Sequence, residues 1–212
     1  MKTKKLVTTA MLMALSAILS LIVVFALPFG GSITAASMMP IILVGYLYGI
    51  NWGLLSSFVY SLIQLLLGAG TVSAFFLPGD SQMTLYAALL ICLLDYICAF
   101  TVLGLSGIFK GKLKNSVCEL ILGAVFVCVL RYGIHILSGA VFFGSWADWF
   151  FSDTTGLSQI KFMEGFCNWT MANFSGMGLS VFYSVVYNGA YMIPETVITA
   201  FTAPIVYKVS NR

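Results

Sequence analysis

The sequence predicts an all-α integral membrane protein of six transmembrane helices with both termini in the cytoplasm, and three observations carry that prediction. Of 212 residues, 60% are hydrophobic and 8% charged, and mean hydropathy is +1.03; a soluble domain would carry about 25% charged residues. Eight of the ten Lys and Arg fall in three places: Lys2, Lys4 and Lys5, then Lys110, Lys112 and Lys114, then Lys208 and Arg212. Such clusters mark the cytoplasmic side of a membrane. Between them lie apolar runs, several of them close to the roughly 20 residues that a spanning helix needs.

The first span, 6–27, is closed by Pro28 and Gly30-Gly31. It is longer than the 7–15 residues of a signal-peptide apolar core and lacks a small-residue cleavage pattern, so it reads as a retained helix. The second, 38–48, opens near Pro40 and is short for a crossing. Part of 30–37 must therefore lie at membrane depth, buried against protein. A turn over 49–53 leads to the third span, 54–67, which Gly68-Ala-Gly70 ends; the following loop carries Pro78-Gly79-Asp80. The fourth covers 84–109, the fifth 117–143 and the sixth 179–207. With six crossings all three basic clusters fall inside, while Asp80, Asp148, Asp153, Glu164 and the long 144–178 loop fall outside. The 212 residues read as one membrane domain without internal repeat or low-complexity tract.

Several function classes drop out. The net charge of +3 reflects cytoplasmic anchoring; no basic patch interleaves with aromatics, so nucleic acid is not a partner. Cys92, Cys98, Cys118, Cys128 and Cys167 have no CxxC spacing and read as small hydrophobes, giving neither a metal site nor a disulfide framework. Two glycosylation triplets, at Asn168 and Asn173, matter only in a secretory pathway. No GxxxxGK[ST] loop is present, so any ATP hydrolysis belongs to partner subunits.

Ionisable groups inside spanning segments cost on the order of 2.5–3.5 kcal/mol each and default to functional candidates. Beyond the first turn of any span they are Asp95, Arg131, His135 and Glu195. Arg131 and His135 are four apart and share a helix face. Ser184, Asn188, Tyr191 and Glu195 recur at helical steps as one polar stripe, flanked by Tyr183 and Tyr187. Counted from the cytoplasmic lysines at 1.5 Å per residue, Asp95, His135 and Asn188 lie roughly 22–30 Å up, in the outer half of the bilayer. Tyr96, Phe142, Phe143, Trp146 and Trp149 cluster at the same end. The combination of a carboxylate with aromatic faces suits a flat cation. Two blander readings stand beside it: a buried Asp95–Arg131 ion pair with Asn188 as interhelical glue, and Trp146 and Trp149 as interfacial belt residues.

The segments Gly30-Gly-Ser-Ile-Thr34 with Ser37-Met-Met-Pro-Ile41, Leu94-Asp-Tyr96 with Ala99-Phe100 and Leu103-Gly-Leu105, Arg131-Tyr-Gly-Ile-His135 with Ser138-Gly139 and Phe142-Phe143, and Tyr183-Ser-Val-Val-Tyr-Asn-Gly189 with Tyr191-Met-Ile-Pro-Glu195 occur in this order over nearly the whole chain. In that ordered set the sequence resembles the thiamine-specific substrate-binding (S) components of energy-coupling factor transporters, the ThiT family. The resemblance implies a six-helix binder of thiamine or a close analogue in an outward-facing pocket at the bacterial plasma membrane, without enzymatic activity or cofactor. It implies Asp95, Tyr96, Arg131, His135, Phe143, Tyr183 and Asn188 as ligand contacts, with Trp146 nearby. Its transport cycle implies a transmembrane coupling subunit and two ATPase subunits, docked on small residues of the first helix, here Ala10 and Ala14. Three departures stand out: Gly31 and Ala35 replace a Trp and an acid of some members, Asp95 replaces a longer Glu, and the 144–178 loop is extended and could lid the pocket. Two rival readings are a secondary transporter or channel for another small cation, relaying protons through Asp95, Arg131 and His135, and an intramembrane enzyme built on His135.

Overall fold

The computed structural model describes residues 2–27, 31–79, 81–152 and 156–210. Pro28, Gly30, Asp80, Asp153 and Arg212 of the sequence reading lie outside them. Helix α1 is Lys2–Leu21, followed by an antiparallel hairpin of β1, Val23–Ala26, and β2, Ser32–Thr34. Then come α2, Met39–Tyr48, α3, Ile50–Leu67, and α4, Ala69–Phe76. Helix α5 is Leu85–Phe109, and α6 is Ser116–Phe142. Beyond it come α7, Ala147–Ser152, α8, Glu164–Asn173, and α9, Gly176–Ser210.

The architecture is a helical membrane bundle. Among the described residues four helices, α1, α3, α5 and α6, are long and apolar enough to cross a bilayer. Helix α9 has 35 residues, but its polar stripe and two internal prolines, Pro194 and Pro204, dilute its hydropathy.

Three boundaries correct the sequence reading. The first span stops at Leu21 rather than Leu27, because β-branched Val23 and Val24 with Phe25 suit an extended strand, and the chain turns back to pair with 32–34. The turn read over 49–53 shrinks to Gly49, whose φ of 88° serves a one-residue link that a side chain would strain; Ile50 already begins α3. The loops read at 68–83 and 144–178 contain helices, since Phe75, Phe151 and Cys167 have core to bury into.

The core centres on α2. Of its ten residues, Met39 to Tyr46 are all buried, so no face meets lipid. At 1.5 Å per residue it spans about 15 Å, half the hydrocarbon core. Just before it, in 31–38, Thr34 and Ser37 are buried and bonded to protein. The Ser16 hydroxyl donates to the Ser37 carbonyl at 2.7 Å and accepts from Ile41 N–H at 3.2 Å. These bonds tie α1 to the irregular segment, which satisfies backbone groups that lipid could not. The opposite side of α1, including Leu6, Val7, Ala10, Met11, Ala14 and Ile18, is exposed.

At the end carrying Lys110, polar contacts clasp the 110–116 connection. Glu119 accepts from Leu113 N–H at 3.0 Å and from the Tyr46 hydroxyl at 3.2 Å, while Lys110 donates to the Leu47 carbonyl at 2.9 Å. Lys5 sits 4.3 Å above the Trp52 ring, a cation–π contact that ties the N-terminal lysines to the same end.

Candidate functional site

A cavity of about 310 Å³ opens between the hairpin, α3, α5, α6 and α9, at the lower end of the range for small-molecule sites. Asp95, Tyr96, Arg131, His135, Phe143, Tyr183 and Asn188 all line it. Trp146 does not reach the described wall; it packs edge-on behind Phe143 with ring centres 5.6 Å apart. Ala10 and Ala14 lie far from the cavity, on the exposed side of α1.

Asp95 sits in the middle of a π-helical stretch, Cys92–Cys98, where the wider turn inserts an extra residue and re-aims side chains; such turns recur at functional sites. Its carboxylate faces α6. Oδ1 lies 2.9 Å from His135 Nδ1, and Oδ2 accepts from the Ser138 hydroxyl at 2.8 Å. Arg131, one turn before His135, donates its Nε–H to His135 Nε2 at 3.2 Å. A guanidinium can only donate, so Nε2 must be the lone-pair nitrogen and Nδ1 carries the proton toward Asp95. His135 is therefore neutral, and it leaves the Asp95 charge uncompensated. Arg131 lays its guanidinium 4.0 Å over the Phe100 ring. The ion pair that the sequence offered between Asp95 and Arg131 is not formed; the imidazole stands between them and bonds to both.

Helix α9 supplies the facing wall. Gly139 of α6 makes the approach possible, since a Cβ there would crowd Ser184 and come within 2.9 Å of Asn188 Nδ2. Asn188 donates to the His135 carbonyl at 3.2 Å, and Ser184 donates to the Ile136 carbonyl at 2.8 Å. Tyr191 donates to Asn188 Oδ1 at 2.8 Å and stands edge-on to the His135 ring, 5.9 Å between centres. One turn beyond Tyr191, Glu195 accepts from the backbone N–H and hydroxyl of Thr34, fastening the hairpin to α9.

Aromatic surface completes the enclosure. Phe75 of α4 and Phe143 meet at 5.9 Å. Tyr183 and Tyr187 back onto Phe150 of α7 at 5.2 and 5.9 Å. Through these rings the 144–178 segment supports one wall. In α8, burial pushes the Cys167 thiol pKa up.

Sequence reasoning missed Phe75, Phe100, Gln64 and the hairpin residues Gly31, Thr34 and Ser37 as lining groups. Gln64 was detectable: it is a polar residue inside the third apolar run, donating to Tyr60 at 2.7 Å and Ser20 at 3.0 Å. Phe75 and Phe100 carried no signal, because a phenylalanine in an apolar run looks the same lining a cavity or facing lipid. Chemically, the arrangement offers an unneutralised carboxylate, hydrogen-bonding groups on two helices and several ring faces. It can hold a flat cation with peripheral donors. Among the described residues no cluster of three or more His, Cys, Asp or Glu could hold a metal ion.

A family model described as thiamine transporter protein (Thia_YuaJ) matches residues 6–152. The thiamine transporter ThiT of Bacillus subtilis (strain 168) is 28% identical over 219 residues, covering 98% of this chain and 92% of the relative. A solved structure of ThiT from Listeria monocytogenes aligns with a TM-score of 0.65 at 20% identity, covering 99% of this chain and 96% of that one. At that identity the likeness speaks for the fold.

Proposed function

The chain belongs to the thiamine transporter protein family, whose members are transporters and not enzymes, and on that premise we propose that it is the thiamine-binding membrane subunit of an energy-coupling factor transporter. The observation that carries the reading is Asp95. Its carboxylate faces a cavity with aromatic walls, and the neutral His135 and Ser138 orient it without cancelling its charge. Thiamine is a monocation of two flat rings, a thiazolium and an aminopyrimidine, joined by a methylene, and it carries an alcohol. A thiazolium beside Asp95 gains countercharge, and its face gains about 0.5–2 kcal/mol from each favourable ring contact.

The proposed topology has six crossings: α1, α2 completed by 31–38, α3, α5, α6 and α9. Both termini lie in the cytoplasm with the lysine clusters, and the cavity opens toward the outer face, where α7 and α8 pack. The exposed small-residue face at Ala10 and Ala14 receives the transmembrane coupling subunit, and two ATPase subunits supply the energy that this chain cannot. The cell membrane is its proposed location. Titration of the purified protein with thiamine, followed by Trp fluorescence and calorimetry, tests the reading. Saturable one-to-one binding at or below micromolar ligand is expected, and its absence would refute the assignment.

A further inference from the structure

Helix α8 packs at the start of α9, the end away from Lys208, and it leaves large apolar side chains uncovered. Phe162, just before the helix, is 83% exposed, and Trp169 is 51% exposed. With the half-buried Phe166 they fall at i, i+4 and i+7, one stripe along the segment. Glu164 and Asn168, also exposed, lie roughly opposite that stripe around the helix. Polar and apolar sides are thus separated.

What the stripe adjoins says what covers it. Along α9 exposed apolar residues recur in steps of four: Met177, Val181 and Val185, then from Ile193 through Val197 and Phe201 to Val209. On the proposed topology this is the lipid-facing side of α9. Phe182, beside Val181, carries it onto α8. Phe174 stacks on Phe182 with ring centres 4.5 Å apart and planes at 12°, and Trp169 meets Phe182 edge-on at 6.2 Å. Depth agrees with this continuity. Phe182 stands twenty-six residues from Lys208, about 39 Å along the helix axis, against roughly 40–45 Å for a bilayer with its headgroup regions. With Lys208 at the inner headgroups, the ring cluster reaches the outer interface, where Trp is enriched.

We propose that Phe162, Phe166 and Trp169 form an interfacial anchor, with α8 lying along the outer membrane surface and a lipid surface as its partner. Such helices bury their apolar side about 5–10 Å into the boundary between headgroups and acyl chains. Lys161, exposed next to Phe162, has the reach to set its ammonium at the phosphate level. The anchor is independent of thiamine binding and takes from the proposed topology only the depth of α9. It also separates two uses of the long 144–178 segment. A lid would turn its apolar side over the cavity, yet among the described residues none from α8 lines it. Instead Phe166 packs on Phe151 of α7 at 6.2 Å, and the neighbouring Phe150 backs Tyr183 and Tyr187 of the cavity wall. Held at the membrane surface, α8 braces that wall from behind.

The test uses the whole chain reconstituted in phosphatidylcholine vesicles whose acyl chains are brominated either near the headgroup or near the chain end. Trp169 emission is the difference between wild type and Trp169→Phe, a variant that keeps an aromatic ring in the stripe. That difference should fall by about twofold or more with the shallow bromines and by less with the deep ones. Phe162→Trp, at a site too exposed to disturb packing, should add emission that the shallow bromines quench likewise. Emission at both positions insensitive to either lipid would overturn the proposal. Quenching by aqueous iodide would then show that α8 faces water, and protection from iodide as well would show that a protein surface, such as a second copy, covers the stripe. Thiamine affinity enters none of these readouts, so failure here leaves the thiamine assignment standing.

Discussion

Replacing Asp95 by Asn removes one charge while keeping the side chain's shape, and the structure sets the size of the effect. A cation about 4 Å from the carboxylate interacts by about 1 kcal/mol in water and about 4 kcal/mol at an effective dielectric of 20. The Asp95 side chain is 20% exposed, between those limits, so a loss of about 2–3 kcal/mol is expected, or roughly 30- to 150-fold in Kd. A second, smaller loss is independent of ligand charge. The Asn amide oxygen can still accept from His135 Nδ1–H, but its NH2 then donates to Ser138, whose hydroxyl must turn its own proton elsewhere, at a cost of about 1 kcal/mol. The two contributions separate by titrating wild type and Asp95→Asn with thiamine and with an analogue whose thiazolium is replaced by a neutral aromatic ring. The thiamine affinity should fall by the full amount and the neutral analogue's by only a fewfold. Equal losses for both ligands would refute direct charge contact and reduce Asp95 to a scaffold for His135.

Other perturbations probe separate parts of the molecule. Leucine at both Ala10 and Ala14 should leave thiamine Kd unchanged, because these residues face away from the cavity, yet should lower ATP-dependent uptake in reconstituted vesicles by at least about 10-fold if that face seats the coupling subunit. Valine at Gly139 should push α6 from α9 at Ser184 and Asn188, destabilising the protein by about 1–3 kcal/mol; a lowered Tm and weakened binding should appear together. Cys167, buried in α8 with its thiol pKa raised, holds less thiolate than a free cysteine at a given pH. Its alkylation at pH 7 should be slow, and the rate should still be climbing above pH 9, where an ordinary thiol levels off; mass spectrometry of the α8 peptide reads this directly.

The parts of the site that were legible in the sequence are those where polarity conflicts with surroundings. Asp95, Arg131 and His135 stand out because lipid penalises them, and the Ser184–Glu195 stripe because its period matches one helix face. The apolar half of the cavity has no such contrast. Phe75 and Phe100 enter it through tertiary packing of α4 and α5. Spans α5 and α6 were readable to within a residue or two because hydropathy tracks bilayer thickness. The hairpin was not, since Val23 to Leu27 are as apolar as the helix before them, and only pairing with 32–34 makes them a strand. The wide turn at Asp95 was likewise invisible to a reading that assumes 3.6 residues per turn.

The ten-residue α2, apolar on every side and joined to α3 by Gly49 alone, has a consequence for biogenesis. It is too short to partition stably into lipid by itself, so a nascent chain emerging through Tyr48 has no settled resting place for it. On the proposed topology the segment enters the bilayer with α3 as one helical hairpin and becomes locked only when α5 and α6 arrive to surround it. Lesions in α2 should therefore surface as degraded or misthreaded polypeptide, long before any ligand is encountered.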